Sequence, residues 1–299
     1  MSRIAFAPPP AEDTRTGDQT WYPSVKGGTR LGIVAGNGVL PGRVIDACRQ
    51  RGRDYFVLAI EDQTDPEVTR GSPHAWVRLG ALGRTFHILR DEDVSDLVLA
   101  GPIRRPSLGE LKPDLMGMRL LGRVGASVFG DDGLLSAVVR QCEEEGFRVV
   151  GVDEVVGGLL APVGGLGRLE ADDGASADIE RGVEIVRTLG ALDVGQAAVV
   201  QQGVVLGVEA VEGTDALLER VAGLRLEGPG GVLVKIVKPQ QNRCVDLPTI
   251  GSGTVRGAAA AGLRGIAVEA GGTLVIDRDA VARAADEAGL FVVGIDIET

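Results

Sequence analysis

The chain has 299 residues, a length typical of two domains, and 44% of them are hydrophobic, which is enough to bury a substantial core. A formal net charge of −11 argues against the basic surface of a nucleic-acid-binding protein, so we expect no nucleic-acid partner. The three cysteines are widely spaced and the two histidines are few, which argues against a disulfide framework or a zinc site and favours a reducing compartment.

Residues 1–29 are rich in proline, glycine and polar side chains, and this composition predicts a flexible tail. They contain no apolar core of a signal peptide. No apolar run elsewhere approaches the roughly 20 residues that span a bilayer. We therefore expect a soluble, cytoplasmic protein.

Residues 30–157 alternate between apolar strands and amphipathic helices. The run LGIVA is continuously apolar, as in a parallel strand that is buried on both faces, and YFVLAI and DLVLAGPI are further predicted strands. A helix is predicted in PGRVIDACRQRG, where Pro41 suits the first turn and Gly52 suits the C-terminus. This alternation predicts a doubly wound, Rossmann-like domain.

Glycines and a proline interrupt the alternation over residues 158–177, which we interpret as a linker. Residues 178–299 then show a second α/β pattern, with a hairpin turning near Gln202-Gly203 and a helix whose N-cap is Thr214. The predicted fold class is therefore α/β, with a Rossmann-like doubly wound N-terminal domain and a distinct C-terminal α/β domain.

Two turns of the first domain could contact an anionic ligand. Gly36-Asn37-Gly38 follows the first strand, where glycines let the backbone approach a phosphate, although Pro41 replaces the third glycine of the dinucleotide fingerprint. Arg104 and Arg105 follow a later strand and could clamp phosphate oxygens. Two simpler explanations stay open. The glycines of Gly36-Asn37-Gly38 could serve only to make a tight turn, and Arg104 and Arg105 could lie in a solvated basic turn.

Acidic side chains gather at two predicted helix starts. Asp131 and Asp132 would cap their helix, or contact a ribose or a metal ion. Glu209, Glu212 and Asp215 surround a strand-to-helix turn in the second domain. Carboxylate oxygens are ligands that Mg²⁺ prefers, and helix capping explains one of these three acids but not all of them.

The loop at residues 238–251, KPQQNRCVDLPTIG, carries the densest set of reactive side chains. Lys238 and Arg243 could neutralise charge on phosphorus oxygens, and Asp246 could bind Mg²⁺ or take a proton from an attacking water. Pro248 would restrict the loop so that the carboxylate keeps one direction. From the residues alone, an N-cap or Asx-turn role for Asp246 explains the pattern equally well.

Six segments occur in series: LGIVAGNGVLP, LAGPIRRP, GDDGLL, VEAVEGTDALLERV, KPQQNRCVDLPTIG and GIAVEAGGTLVIDR. Together they resemble one family, the two-domain UDP-2,3-diacylglucosamine pyrophosphatases of lipid A biosynthesis. This family is unrelated to the calcineurin-like phosphoesterases. The resemblance runs from about residue 30 to the end. It implies Mg²⁺-dependent hydrolysis of UDP-2,3-diacylglucosamine to UMP and lipid X, which is 2,3-diacylglucosamine 1-phosphate, with water attacking the uridine-side phosphorus. It also places the family's catalytic acid on Asp246.

The expected catalytic residues are Asp246, Lys238 and Arg243, and the expected Mg²⁺ ligands are Asp246, Glu209, Glu212 and Asp215. The expected substrate contacts are Gly36, Asn37, Gly38, Leu40, Arg104, Asp131, Asp132, Gln196, Thr214 and Thr249. One position departs from the family, because Cys244 stands where an arginine is usual. The adjacent Arg243 would face the opposite way in an extended segment.

The resemblance has consequences for partners. A substrate with two acyl chains implies a Gram-negative enzyme that is peripheral to the inner membrane and contacts its lipid surface transiently, although the net charge of −11 disfavours anionic lipid. A homodimer is compatible with the resemblance. Two alternatives stay open: an NAD-binding Rossmann enzyme that uses Gly36-Asn37-Gly38 and Glu61, and a non-catalytic sugar-nucleotide-binding protein in which the acids are helix caps.

Overall fold

A computed structural model describes residues 29–104, 112–124 and 131–297, and these residues divide into two compact units at Gly158 and Leu159. The expected tail lies outside the described residues except for Thr29, and Arg105 lies outside them as well. Asp131 and Asp132 are described only as the helical backbone that begins a helix.

The first unit contains one sheet of five strands. The strands are β1 (Arg30–Ala35), β2 (Tyr55–Ile60), β3 (His74–Val77), β4 (Val94–Ala100) and β5 (Arg148–Val150). The helices are α1 (Leu40–Arg51), α2 (Pro66–Thr69), α3 (Leu82–Asp91), α4 (Leu115–Val124), α5 (Asp131–Glu144) and α6 (Val152–Val156). All paired strands run parallel, in the order β3-β2-β1-β4-β5. The order reverses between β1 and β4, as in doubly wound sheets, which confirms the predicted fold class for this unit.

Local signals in the sequence set the ends of the first helix. Pro41 lies in the first turn of α1, where its missing N–H group leaves no intrahelical bond unmade. Gly52 follows the helix with a φ of 62°, in the left-handed region, and its N–H group bonds back to the carbonyl of Arg49. Both predictions from the sequence are confirmed.

A buried carboxylate ties together the beginnings of three chain segments in the first unit. Asp96, near the start of β4, accepts a hydrogen bond of 2.6 Å from Arg53 and two of 3.0 Å from Arg148. Burial acts to raise the pKa of Asp96, but the hydrogen bonds and charges of Arg148 and Arg53 outweigh it and hold that pKa below its usual value. The group links β4 to the turn before β2 and to β5.

The second unit contains a mixed sheet. Its strands are β6 (Gly164–Gly165), β7 (Ala197–Gln201), β8 (Val204–Val208), β9 (Val232–Lys235), β10 (Thr249–Ile250), β11 (Gly265–Glu269), β12 (Leu274–Val275) and β13 (Phe291–Ile295). Its helices are α7 (Asp173–Ala191), α8 (Gly213–Val221), α9 (Ser252–Ala260) and α10 (Arg278–Ala288), with a 3₁₀ turn at Ala222–Leu224. Six strands follow the order β6-β13-β11-β9-β7-β8, and β10 pairs with β12 separately. The predicted second α/β domain is confirmed.

Strand direction brings the ends of four strands to one edge of this sheet. β9, β11 and β13 run parallel, and β7 runs antiparallel to both β9 and β8. Consequently β8, β9, β11 and β13 all end at the same edge, which is where open α/β sheets bind ligands.

The predicted hairpin is confirmed, and its turn is held by a helix. Gln202 and Gly203 join β7 to β8 with φ values of 52° and 78°, as the tight turns of hairpins require. The carboxylate of Asp178 in α7 accepts the N–H groups of both residues, at 3.0 and 2.7 Å. The predicted N-cap Thr214 is wrong, because α8 begins at Gly213 after Glu212 and makes no side-chain cap bond there.

Residues 158–177, interpreted from the sequence as a linker, are structured from Leu159 onward. The N–H group of Ala161 donates to the carbonyl of Thr273 at 2.8 Å, and β6 pairs antiparallel with β13. Asp172 then accepts the N–H group of Ala175 at 2.8 Å and caps α7. Glycines and acids here form an edge strand and a helix start.

Within the described parts of the chain, no helix combines the length and hydrophobicity needed to cross a membrane.

Candidate functional site

The candidate site lies at the shared strand edge of the second unit. Lys235 is the last residue of β9 and Glu269 is the last residue of β11. The loop from Lys238 to Pro248 connects β9 to β10 and carries Asp246. Glu209 follows β8 directly. Elements distant in sequence therefore supply the polar groups of one region.

Asp246 is half-buried, and a neighbouring glutamine holds its carboxylate. The side-chain nitrogen of Gln241 donates to Oδ2 of Asp246 at 2.8 Å and to Oε1 of Gln196 at 3.2 Å. The side-chain oxygen of Gln241 accepts the N–H group of Lys238 at 3.0 Å. The structure thus brings two predicted site residues, Gln196 and Asp246, together through Gln241.

A buried lysine that the sequence analysis missed lies at the same edge of the sheet. Nζ of Lys235 donates to Oγ1 of Thr214 at 2.6 Å, and Thr214 donates to Oε1 of Glu209 at 2.6 Å. Lys235 is only 6% exposed. Burial lowers its pKa, and the charges of Glu209, Asp215 and Asp246 act against that shift. The sequence signal was a charged residue closing the apolar run GVLVK.

The two basic residues predicted as phosphate ligands are each paired with a carboxylate. Nζ of Lys238 lies 2.6 Å from Oδ1 of Asp193. Arg243 donates to Oε1 of Glu269 at 2.8 Å. The other oxygen of Glu269 accepts the N–H group of Val237 at 3.0 Å, so this buried acid fastens both ends of the segment before Asp246. Sequence reasoning missed Glu269, whose signal was an acid at the end of a buried strand.

The expected magnesium ligands do not form a preformed cage. Glu212 pairs with Arg220 at 2.7 Å and accepts the N–H group of Ala210, and backbone hydrogen bonds together with Arg220 lower its pKa. Among the described residues, no three His, Cys, Asp or Glu side chains gather closely enough to hold a metal ion. Mg²⁺ commonly keeps several waters and binds through one or two carboxylates and substrate phosphates. Asp246 fits that mode.

Backbone hydrogen bonds occupy the glycine turn of the first unit. Gly36 and Asn37 donate their N–H groups to the carbonyls of Ala100 and Pro102, both at 2.8 Å, and Gly38 donates to the side-chain oxygen of Asn37 at 2.7 Å. A Cβ atom on Gly36 would lie 2.6 Å from the oxygen of Pro102. Close approach of two backbone segments therefore explains the glycine, and these N–H groups already have partners within the protein.

The remaining predicted site residues lie in both units. Leu40 begins α1, and exposed Arg104 uses its N–H group to bond the side chain of Gln63 at 2.8 Å. The backbone of Asp131 and Asp132 begins α5. Thr249 begins β10 in the second unit and donates its hydroxyl to the carbonyl of Leu247 at 3.2 Å.

The residues around Asp246 in the second unit determine which chemistry the candidate site could perform. A carboxylate held in one direction can accept a proton or bind a divalent cation. Lys235 places a buried amino group near that carboxylate, and Arg243 places a half-exposed positive charge on the same loop. Such an arrangement suits a substrate that carries negative charge, as phosphates do.

Comparison with known proteins gives consistent matches over almost the whole chain. The model of the LpxI N-terminal domain matches residues 30–159, and that of the LpxI C-terminal domain matches residues 162–293. A relative from Caulobacter vibrioides, described as UDP-2,3-diacylglucosamine pyrophosphatase LpxI, is 44% identical over 274 residues, covering 89% of this chain and 98% of the relative.

Similar solved structures are remote. CobK precorrin-6A reductase gives a TM-score of 0.34 at 13% identity, covering 91% of this chain and 89% of the reductase. A biotin carboxylase domain of a thermophilic 2-oxoglutarate carboxylase gives 0.24 at 16% identity, covering 56% of this chain and 34% of that structure. At these scores neither supports an argument about fold or function.

Proposed function

Because the chain belongs to the LpxI family, we propose that it hydrolyses the pyrophosphate of UDP-2,3-diacylglucosamine to UMP and lipid X, a step of lipid A biosynthesis. The observation that supports this proposal within the molecule is Asp246, a carboxylate that accepts a hydrogen bond from Gln241. It lies at the edge of the second sheet where the parallel strands end, which is where open α/β sheets usually bind ligands. The match to a relative of the same activity covers both units.

Asp246 has the central role in the proposed reaction. Its carboxylate accepts the proton of the attacking water or contributes an oxygen ligand to Mg²⁺. Mg²⁺, when bound, neutralises negative charge on the phosphate oxygens. Because no three of these carboxylates lie close enough to bind one ion directly, we propose that Glu209 and Asp215 contribute through water molecules of the Mg²⁺ shell. The ion pair of Glu212 with Arg220 makes that carboxylate the least suited of the four.

The cations of the loop have different proposed contributions. Arg243 is half-exposed and uses one terminal nitrogen for Glu269, so its guanidinium has further N–H groups for a phosphate. Lys238 is buried against Asp193, and we propose that it contributes positive charge to the site. Residues of the first unit, among them Leu40 and Arg104, remain proposed substrate contacts.

The point of attack is a separate part of the proposal. Water attacking either phosphorus of the anhydride gives the same two products, and the family resemblance implies the uridine-side phosphorus. Oxygen from labelled water would then appear in UMP. The two acyl chains of the substrate would also bring the enzyme into transient contact with the inner-membrane surface.

We expect purified protein to release UMP and lipid X from UDP-2,3-diacylglucosamine with Mg²⁺ and to stop when EDTA is added. The measurement is mass spectrometry of both products after reaction in ¹⁸O-labelled water. Asp246→Ala should lower the turnover number by about 10²–10⁴-fold, the range for a lost general base, while the protein keeps its melting temperature.

Three outcomes would contradict parts of this proposal. Label in lipid X would place attack on the other phosphorus. A near-normal rate in Asp246→Ala would remove Asp246 from the chemical step. Binding of the substrate without cleavage at any Mg²⁺ concentration would favour a sugar-nucleotide-binding protein.

A further inference from the structure

Gln241 makes more specific contacts than any other amide side chain of the site. It is 7% exposed and lies five positions before Asp246 in the same loop. Its nitrogen contacts Asp246 and Gln196, and its oxygen contacts the backbone N–H group of Lys238. Every polar atom of the amide therefore has a partner.

The chemistry of the partners fixes which way the amide faces. The N–H group of Lys238 can only donate, so it requires the oxygen of Gln241. An ionised carboxylate can only accept, so Asp246 requires the nitrogen of Gln241. A flipped amide would place oxygen against the carboxylate and nitrogen against the N–H group, and both contacts would be lost. The loop backbone thus sets the direction of the donor that meets Asp246.

We propose that Gln241 is a positioning residue that holds Oδ2 of Asp246 and thereby fixes the direction of the second carboxylate oxygen toward the substrate. The inference rests on the proposed hydrolysis and adds a residue to its machinery. A hydrogen bond to an ionised acceptor is stronger than a neutral one, so the contact resists rotation of the carboxylate. A residue that acts only through Asp246 should have no effect on the reaction once Asp246 is removed.

The first test replaces the amide by a side chain of similar length and no hydrogen bonding, Gln241→Met. We expect the turnover number to fall about 10- to 100-fold, because a displaced catalytic group loses its alignment. KM should stay within about threefold, because Gln241 is not proposed to bind substrate. Gln240→Met is the matched control, since Gln240 is exposed and bonds only the carbonyl of Ala191 among the described contacts.

The second test combines the change with Asp246→Ala. In that background Gln241→Met should alter the residual rate by less than about threefold, because the group it positions is absent. An equal loss in both backgrounds would overturn the inference and show that Gln241 acts independently of Asp246. A normal rate in Gln241→Met alone would overturn it as well. If Gln241→Met does not fold, Gln241→Glu keeps the acceptor for Lys238 and should show the same loss of rate.

A readout without substrate separates this inference from the proposed function. The side-chain NH₂ protons of Gln241 should exchange with solvent at least about tenfold more slowly in the wild type than in Asp246→Ala, and those of Gln240 should not change. Wild-type protein that cleaves nothing would end the proposed function, and slow exchange would then still establish the contact between the two side chains. Equal exchange in both proteins would overturn the contact itself.

Discussion

Lys235 is a positive charge placed in the interior of the second unit. The strand β9 is buried along its length, and its last side chain turns to Thr214 and Glu209. Desolvation is the largest influence on the pKa of Lys235 and lowers it, whereas three nearby carboxylates favour the charged form without restoring the usual value. The folded protein therefore binds this proton less tightly than the unfolded chain does.

This difference gives the stability a defined dependence on pH. The unfolded lysine releases its proton near pH 10.5, and the folded one releases it at lower pH. Between those two values the unfolded chain binds more protons, so the free energy of unfolding rises with pH. Comparing the wild type with Lys235→Met, we expect the difference in free energy of unfolding to move in favour of the wild type as the pH is raised from neutral toward 10.5.

Urea denaturation of both proteins across that range measures the effect. Parallel pH dependences in the two proteins would contradict it, because they would mean that Lys235 has the same pKa in the folded and unfolded states.

At the scale of elements, Asp96 fastens the starting ends of strands in the first sheet. Arg53 precedes β2 and Arg148 begins β5, and both donate to the same carboxylate at the start of β4. Asp96 is buried, whereas Arg148 is largely exposed, so solvent screens part of that interaction. A loss of ~2 kcal/mol is therefore expected from removing the charge, less than for a fully buried pair.

Asp96→Asn should lower the free energy of unfolding at neutral pH by that amount. The folded pKa of Asp96 is below the unfolded one, so its contribution is present above about pH 4 and is lost as the pH falls through the folded value. The difference in free energy of unfolding between Asp96→Asn and the wild type should accordingly become smaller in acid, as measured by urea denaturation. Asp54→Asn, at an exposed position in the turn before β2, is the control. A gap that stays constant into acid would contradict the assignment.

Elements that depend on local chemistry could be predicted from the sequence. Continuous apolar runs predicted β1, β2 and β4, and Gln202-Gly203 marked its hairpin, because each signal lies within a few residues. Residues 164–165 form a strand only because β13 lies beside them, a contact across most of the second unit. Thr214 is a residue type that often caps helices, but its hydroxyl accepts a hydrogen bond from the buried Lys235 instead.

For the candidate site too, the sequence predicts what is local in the chain but not the contacts between distant residues. The loop sequence and the family resemblance predict Asp246 as the centre of the candidate site, and that role stays a prediction. Its supporting contacts depend on residues that fold back from elsewhere: Glu269 meets Arg243 across 26 positions, and Lys235 meets Thr214 across 21. Spacing along the chain carries no signal for such pairs. The sequence shows only that Gln241 is a polar residue of this loop, whereas its proposed role depends on the direction of its amide in the structure.

At the scale of the whole molecule, each unit is built from one continuous piece of the described chain. Residues 29–158 form the five-stranded unit and residues 159–297 form the unit with the mixed sheet. Each has its own cluster of buried apolar side chains, with Phe86 and Leu97 in the first and Leu217 and Ile266 in the second. Both properties are those of domains that can fold separately.

The fragment 159–299 should therefore fold without the first unit. We expect a single cooperative thermal transition by circular dichroism, because the core of the fragment is complete. A fragment with no transition would show that the second sheet requires the first half of the chain. The fragment 1–158 is the complementary measurement.

The continuity of each unit has a consequence for synthesis on the ribosome. The whole first sheet is synthesised before Leu159 is added, so it can fold once it has left the exit tunnel, while the second half is still being translated. The second sheet is different, because β11 with Glu269 lies between β9 and the final strand β13. The polar cluster around Asp246 gains its complete support only when the last strand has left the exit tunnel. A message that ends early would therefore yield a folded first unit and no working site.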